Sequence, residues 1–160
     1  MPMAHELITD WGSYQAGFDQ LLGLAEHKLY IYDEDLGKLR LDQPVRLAQL
    51  KRLLLTAQPD GIRIVLRNAE PFRRQQTHLI QLLATHAHII TIQETGPQLN
   101  HLRDSMVLVD HQHGLIRFDR EQVRSKLLID NPSELSPYWL RFDELWKEPG
   151  AVVSTTTLGL

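Results

Sequence analysis

The stretch His101 to Arg117, HLRDSMVLVDHQHGLIR, decides the fold. Its two apolar segments, Ser105 to Val109 and Gly114 to Phe118, are short and rich in strand-forming residues. The turn-like segment Asp110 to His113 separates them, so the pattern predicts a β-hairpin. A polar cluster precedes the hairpin, and Asp110 closes its first strand. We therefore look for the chemistry of the chain along this hairpin.

Helical and strand patterns alternate before the hairpin, which predicts an α/β fold. The helices are predicted over Ser13 to Glu26 with Ser13 as N-cap, Pro44 to Ala57, and Pro71 to His86; the strands are predicted over Lys28 to Tyr32, Ile62 to Leu66, and His88 to Gln93. The second helix and its flanking strands form a βαβ unit.

After the hairpin, Lys126 to Ile129 fits either a strand or the end of a helix. A last helix is predicted from Ser136-Pro137 to about Lys147, because Ser is a favoured N-cap and Pro a favoured first helical residue. Its aromatic stripe, Trp139, Phe142 and Trp146, has the spacing of a core-packing face. The uncharged segment 151–160 leaves three readings open: a strand on a sheet edge, pairing with a second copy, or disorder.

Length and composition predict one domain over residues 1–160, with residues 148–160 as a C-terminal tail. Hydrophobic residues make up 42% and charged residues 23% of the 160 residues, which is typical of a soluble globular chain. No apolar run approaches the ~20 residues of a membrane helix. No secretory signal is visible at the N-terminus, so we expect a cytoplasmic protein. Cysteine is absent, which excludes disulfides, thiolate zinc sites and a cysteine nucleophile.

Charges are grouped along the chain, although the net charge is only -3. Residues 1–37 contain seven acidic residues and Lys28, whereas residues 38–74 contain nine basic residues and three acidic ones. The basic segment 38–74 suits an anionic partner such as nucleic acid. The simpler interpretation is that these side chains are solvated and pair with acidic neighbours.

The segment Arg103 to Asp110, RDSMVLVD, carries a resemblance to a known superfamily. With the order of elements over residues 14–147, it resembles the phospholipase D-like superfamily, and in particular a bacterial family of small uncharacterised domains within it. The signature of that superfamily is His-x-Lys-x-x-x-x-Asp. Spacing and Asp110 match, but Arg103 stands at the position of the nucleophilic histidine and Ser105 at that of the lysine. The Gly-Ser-x-Asn segment is not recognisable in Arg117 to Arg120.

This resemblance implies a phospholipase D-like half-domain, a mixed sheet flanked by helices, that has lost its catalyst. A guanidinium is neither a nucleophile nor readily deprotonated, so Arg103 cannot replace the histidine. Arginine does bind phosphate through two parallel hydrogen bonds. We therefore predict a non-catalytic binding or regulatory module with a phosphate or anion pocket formed by Arg103, Ser105 and Asp110, helped by His101 and Arg117.

Several alternatives stay open. His101 in the sequence His101-x-Arg103 is a candidate nucleophile of a divergent phosphodiesterase, and Asp110 is also a common turn-forming residue. The basic segment 38–74 offers a nucleic-acid surface. His86 with His88 and His111 with His113 have spacings that suit a metal, and Asp33-x-Asp35 resembles the first motif of haloacid dehalogenase-type phosphatases. Both signals lack further motif residues, so we predict no metal and no cofactor.

Because active members of the superfamily combine two halves, the resemblance implies a homodimer.

Overall fold

A mixed sheet forms the centre of the chain in the computed structural model, which describes residues 4–148 and 150–153. Its strands are β1 Ala4–Ile8, β2 Leu29–Asp33, β3 Ile62–Leu66, β4 Ile90–Thr95, β5 Ser105–Val109, β6 His113–Arg117, β7 Ser125–Ile129 and β8 Gly150–Val153. Within the described residues they form one eight-stranded sheet in the order β1-β7-β6-β5-β2-β3-β4-β8. The strands β2, β3 and β4 run parallel, and the other neighbours are antiparallel.

Helices cover both faces of this sheet. They are α1 Trp11–Leu24, α2 Pro44–Leu54, α3 Glu70–Gln75, α4 Thr77–Thr85 and α5 Pro132–Lys147, with a 3₁₀ turn at Pro97–Leu99. The larger core contains the apolar residues of α1, α2 and α4, whereas α5 packs its own core against the other face. Trp139 and Phe142 belong to that second core, as the aromatic stripe predicted.

The hairpin and the βαβ unit are confirmed. Ser105 pairs with Arg117 and Val109 with His113 in the antiparallel β5–β6 hairpin. The strand β3 has the predicted bounds, and it pairs in parallel with β2 across the α2 connection. The segment Lys126 to Ile129 lies in a strand, β7. The α/β class is therefore correct, and these strands fix the position of the site.

Helix starts differ from the prediction because other polar residues cap them. Asp10, not Ser13, caps α1: its carboxylate accepts hydrogen bonds from the backbone N–H and the hydroxyl of Ser13, both at 2.8 Å. Asn131 caps α5 and Pro132 opens it, so Pro137 lies inside the helix. The helix predicted over Pro71 to His86 is two helices, since Gln76 leaves the helical conformation between α3 and α4.

Two edge strands complete the sheet. The strand β1 was not predicted, and among the described strands it pairs with β7 alone, which is more than a hundred residues away in sequence. The first residues of the tail form β8 and pair antiparallel with β4. Of the three readings of the tail, addition of a strand to the sheet edge is thus correct for Gly150–Val153, and residues 154–160 lie outside the described part of the chain.

Candidate functional site

One edge of the sheet collects the polar ends of four strands, and we call it the carboxyl edge. Asp33 ends β2, Arg67 follows β3, Ser105 begins β5 and Arg117 ends β6. The C-terminal ends of β2 and β3 lie side by side because these strands are parallel. The strand β5 is antiparallel to β2, so its first residue lies beside the end of β2, and the hairpin brings the last residue of β6 to the same edge. The register therefore brings side chains from distant parts of the chain together here.

A buried ion pair lies at the centre of the carboxyl edge. The Arg117 side chain is 1% exposed, and its Nη2 donates to Asp33 Oδ1 at 3.1 Å and to Ser105 Oγ at 3.2 Å. Its Nε contacts the hydroxyl of Tyr14 at 3.4 Å. Burial, with the nearby charge of Asp33, raises the pKa of the Tyr14 hydroxyl, which therefore stays protonated. We call these four residues the central cluster.

Arg117 also holds the loop of residues 118–124, which connects β6 and β7. Its Nη1 donates to the carbonyl oxygens of Asp119 at 3.3 Å and Arg120 at 2.7 Å. All three nitrogens of this buried guanidinium therefore have protein acceptors, which is the condition for burying an arginine.

The same loop also contacts Arg103 through two carboxylate side chains. Its Nε and Nη2 donate to the two carboxylate oxygens of Asp119 at 2.8 and 3.1 Å. The Glu121 carboxylate lies 3.1 Å from Nη2. The Arg103 hydrogen bond and the Glu121 backbone N–H lower the pKa of Asp119 to about 2, so this carboxylate is ionised at neutral pH.

A second set of ion pairs surrounds the central cluster. Glu34 pairs with Arg67 at 2.7 Å and with Arg120 at 3.2 Å. Partial burial opposes ionisation of Glu34, but the Arg67 hydrogen bond and the two positive charges lower its pKa overall. Arg67 also donates to the carbonyl of Asp104 at 2.7 Å. The carboxyl edge is thus a network of paired charges.

An open cleft of about 330 Å³ adjoins this network. Its walls are formed by Glu34, Asp35, Lys38, Arg117, Arg120 and Glu121. The Lys38 ammonium lies 4.8 Å from the centre of the Trp11 ring, at the border with a second cleft of about 420 Å³. A small charged ligand can reach Lys38 and Arg120 from solvent through this opening.

Asp110 does not join the other predicted site residues. It lies beyond the opposite end of β5 from Ser105, and the five steps of extended chain from Ser105 to Asp110 span roughly 17 Å. Its carboxylate accepts hydrogen bonds from the backbone N–H groups of Glu26, His27 and Lys28 at 2.8, 2.9 and 2.7 Å. The expected pocket of Arg103, Ser105 and Asp110 is therefore corrected: Asp110 anchors the loop before β2.

The histidines lie apart from the central cluster or have other contacts. His101 is exposed in the turn before β5. The His111 ring stacks on Trp139 at 3.9 Å between ring centres, and His113 Nδ1 accepts a hydrogen bond from the Asp130 backbone at 3.0 Å. Over residues 4–148 and 150–153, no three histidine or carboxylate side chains are arranged to hold a metal ion.

Much of the basic segment 38–74 is paired with acidic neighbours. Arg46 contacts Asp19 at 2.7 Å, Arg63 contacts Asp60 at 2.8 Å, and Arg67 contacts Glu34 at 2.7 Å. These pairs agree with the simpler interpretation of the charge grouping.

Sequence reasoning missed Tyr14, Asp119 and the central role of Asp33. The acidic run at the end of β2 was the available signal, because carboxyl ends of neighbouring parallel strands meet at one edge. Asp33 was considered only as part of the haloacid dehalogenase-like motif. In the structure it forms an ion pair and accepts the backbone N–H of Leu36 at 2.8 Å.

In a comparison with protein families, the model of a domain of unknown function, DUF7931, matches residues 12–154. No curated protein matches the sequence.

Solved structures share the fold at low sequence identity. A phospholipase D family member, Nuc from Salmonella typhimurium, has a TM-score of 0.64 and 12% identity, with 96% of this chain and 99% of that chain covered. Phosphatidylserine synthase from Haemophilus influenzae Rd KW20 has a TM-score of 0.66 and 13% identity over 99% of this chain and 41% of that chain. TrmBL2, described as an archaeal chromatin protein with a novel mode of DNA binding, has a TM-score of 0.67 and 12% identity over 93% of this chain and 54% of that one.

The chain therefore spans about half of TrmBL2 and the whole length of Nuc. At these identities the likeness concerns the fold, and it confirms a phospholipase D-like α/β fold with a mixed sheet. Among the described residues, each helix is too short or too polar to cross a bilayer.

Proposed function

Because the chain belongs to the family of the domain of unknown function DUF7931 and has a phospholipase D-like fold, we propose that it is a non-catalytic module that binds a phosphate-bearing ligand. The ligand site is the 330 Å³ cleft beside Lys38 and Arg120 at the carboxyl edge.

The side chains at the two motif positions, Ser105 and Arg103, carry the non-catalytic half of this proposal. Ser105 stands at the position of the motif lysine. Its hydroxyl accepts a hydrogen bond from Arg117, so the side chain at this position carries no positive charge. Arg103, at the position of the nucleophile, is held by Asp119. Transfer through a covalent histidine adduct needs an imidazole with a free lone pair at this position. A paired guanidinium does not supply one.

Lys38 and Arg120 support the binding half. An ammonium and a guanidinium on neighbouring walls can both donate charge-assisted hydrogen bonds to phosphoryl oxygens, since Arg120 contacts Glu34 through Nη1 and can turn its Nε and Nη2 to a ligand. Contact with the Trp11 ring limits the positions open to the Lys38 side chain, which reduces the entropy lost on binding. The acidic side chains of the cleft repel anions, so the site favours ligands whose oxygens contact both Lys38 and Arg120.

Thermal shift with inorganic phosphate tests the binding half, because a ligand that binds the folded state raises the melting temperature. We expect phosphate to stabilise the wild-type chain, and Lys38→Ala to remove most of that shift. Lys51→Ala is the matched control, because it also removes one exposed lysine charge but lies on α2 outside the cleft. Equal shifts in wild type and Lys38→Ala would contradict the site.

Hydrolysis of bis(p-nitrophenyl) phosphate without added metal tests the catalytic half. We expect no turnover above buffer. Turnover that His101→Ala abolishes would replace this proposal with the divergent phosphodiesterase. Short DNA belongs in the same thermal-shift panel: a salt-dependent shift that charge reversal at Arg73 and Arg74 removes would instead favour nucleic-acid binding through the segment 38–74.

A further inference from the structure

The Asp119 carboxylate meets Arg103 in the geometry of a bound oxyanion. Its two oxygens accept from Nε and Nη2 in parallel, at 2.8 and 3.1 Å. A phosphate group binds arginine through the same fork, with two oxygens on two adjacent nitrogens. The carboxylate of Asp119 therefore occupies the Nε–Nη2 edge of Arg103, to which an external phosphate would bind in the same way.

Glu121 adds a second negative charge to the same guanidinium and links it to the cleft. Its Oε2 lies 3.1 Å from Arg103 Nη2, and its side chain lines the cleft beside Lys38 and Arg120. Arg103 is thus connected to the proposed ligand site through Glu121, which contacts its guanidinium and also lines the cleft.

These contacts are of the kind that a ligand can displace. The side chains are 40% exposed for Arg103, 34% for Asp119 and 74% for Glu121. Exposed ion pairs are weak, because water and salt screen them. The buried guanidinium of Arg117 holds the same loop through backbone carbonyls, so the loop stays attached when the carboxylates swing away.

We propose that Asp119 and Glu121 are internal competitors of the ligand, which engages Arg103 only by displacing them. This inference rests on the proposed phosphate site and specifies its ligand as a dianionic phosphate monoester. A monoester carries about two negative charges at neutral pH, which matches the two carboxylates it displaces. A phosphodiester carries one charge and leaves Arg103 to the protein's own carboxylates.

The test measures the affinities of phenyl phosphate and dimethyl phosphate by calorimetry in wild type, Asp119→Asn and Asp119→Asn/Glu121→Gln. Asparagine at 119 retains the side-chain oxygen that accepts the Glu121 backbone N–H at 2.9 Å, so the loop keeps this anchor. We expect affinity for phenyl phosphate to rise roughly threefold to fivefold per carboxylate neutralised, the scale of an exposed ion pair. Adding Arg103→Ala to the double variant should cancel the gain.

Asp60→Asn is the matched control. It also neutralises a carboxylate that holds an arginine through two nitrogens, since Arg63 Nε and Nη2 contact Asp60 at 3.2 and 2.8 Å. Asp60 precedes β3 and lies at the opposite edge of the sheet. An equal gain of affinity in Asp60→Asn would show a general charge effect and overturn the inference.

The two proposals fail in different ways. If wild type binds phenyl phosphate through Lys38 but neutralising Asp119 and Glu121 changes nothing, the competitor inference is wrong and the proposed site stands. If neither wild type nor the double variant binds phosphate or phenyl phosphate at millimolar concentration, both are wrong. Binding of dimethyl phosphate to wild type as tight as that of phenyl phosphate, or tighter, would overturn the monoester specificity alone.

Discussion

Removing Arg117 should destabilise the fold more than any exchange of an exposed arginine at the carboxyl edge. Arg117→Leu deletes one member of an ion pair whose side chains are 1% and 2% exposed. Asp33 then keeps the Leu36 backbone N–H at 2.8 Å but loses its positive partner. A buried charge left without its partner typically costs about 3–5 kcal/mol of unfolding free energy.

A second variant also removes the Asp33 charge that Arg117→Leu leaves without a partner. Asp33→Asn together with Arg117→Leu leaves no buried ion, while asparagine can still accept the Leu36 N–H. We expect the double variant to recover at least about 2 kcal/mol relative to Arg117→Leu, because replacing both members of a buried pair is far less costly than removing one. Arg120→Leu is the control: its pair with Glu34 is partly exposed, and we expect a loss of about 1 kcal/mol or less.

Urea unfolding followed by circular dichroism measures all four free energies on one scale. Two results would refute the reasoning. If Arg117→Leu costs no more than Arg120→Leu, the buried pair does not hold the carboxyl edge. If the double variant is as unstable as Arg117→Leu, the loss comes from the loop carbonyls that Arg117 binds, not from the stranded Asp33 charge.

Three further predictions concern other parts of the chain. Burial lowers the pKa of His113 below its unfolded value of about 6.5. The contribution of neutral His113 to stability is therefore complete above pH 6.5 and is lost as the pH falls toward the folded pKa. The urea midpoints at pH 7.5 and pH 5.5 should differ less in His113→Asn than in wild type or in His78→Asn, which replaces an exposed histidine as the control. Asp110→Ala removes the acceptor of three backbone N–H groups and should cost roughly 2–3 kcal/mol in urea unfolding, with Asp110→Asn costing less; equal stability of Asp110→Ala and wild type would contradict the anchoring role. We also propose a homodimer, which light scattering should detect at micromolar concentration; a monomer mass would count against it.

The sequence predicted the elements whose signals are local. The segment Ile62–Leu66 is a continuous run of β-formers and gave its own bounds, as did the first strand of the hairpin. Helix starts were less predictable, because Asp10 and Ser13 are both good caps and only three-dimensional contacts choose between them. The strand β1 escaped prediction because its pairing with β7 is entirely long-range.

The residues of the site were predictable only where local sequence signals indicate them. The motif spacing drew attention to Ser105, and the hairpin register makes Arg117 its cross-strand partner. Spacing along a strand does not translate into proximity, so Asp110 was grouped with residues that lie at the other end of β5. The acidic partners Asp33 and Asp119 come from β2 and the loop after β6, which only the sheet order brings together.

Charge balance connects Arg103 with the loop 118–124. A histidine at position 103 could lose its proton, as a nucleophile must, whereas Arg103 is permanently charged. Asp119 and Glu121 compensate that charge from the loop 118–124. Arg103→His alone would leave these two carboxylates facing an imidazole, and they would repel the phosphate that the imidazole must attack. Under the proposed non-catalytic role, introducing phosphodiester chemistry would therefore require changes in this loop as well as at positions 103 and 105.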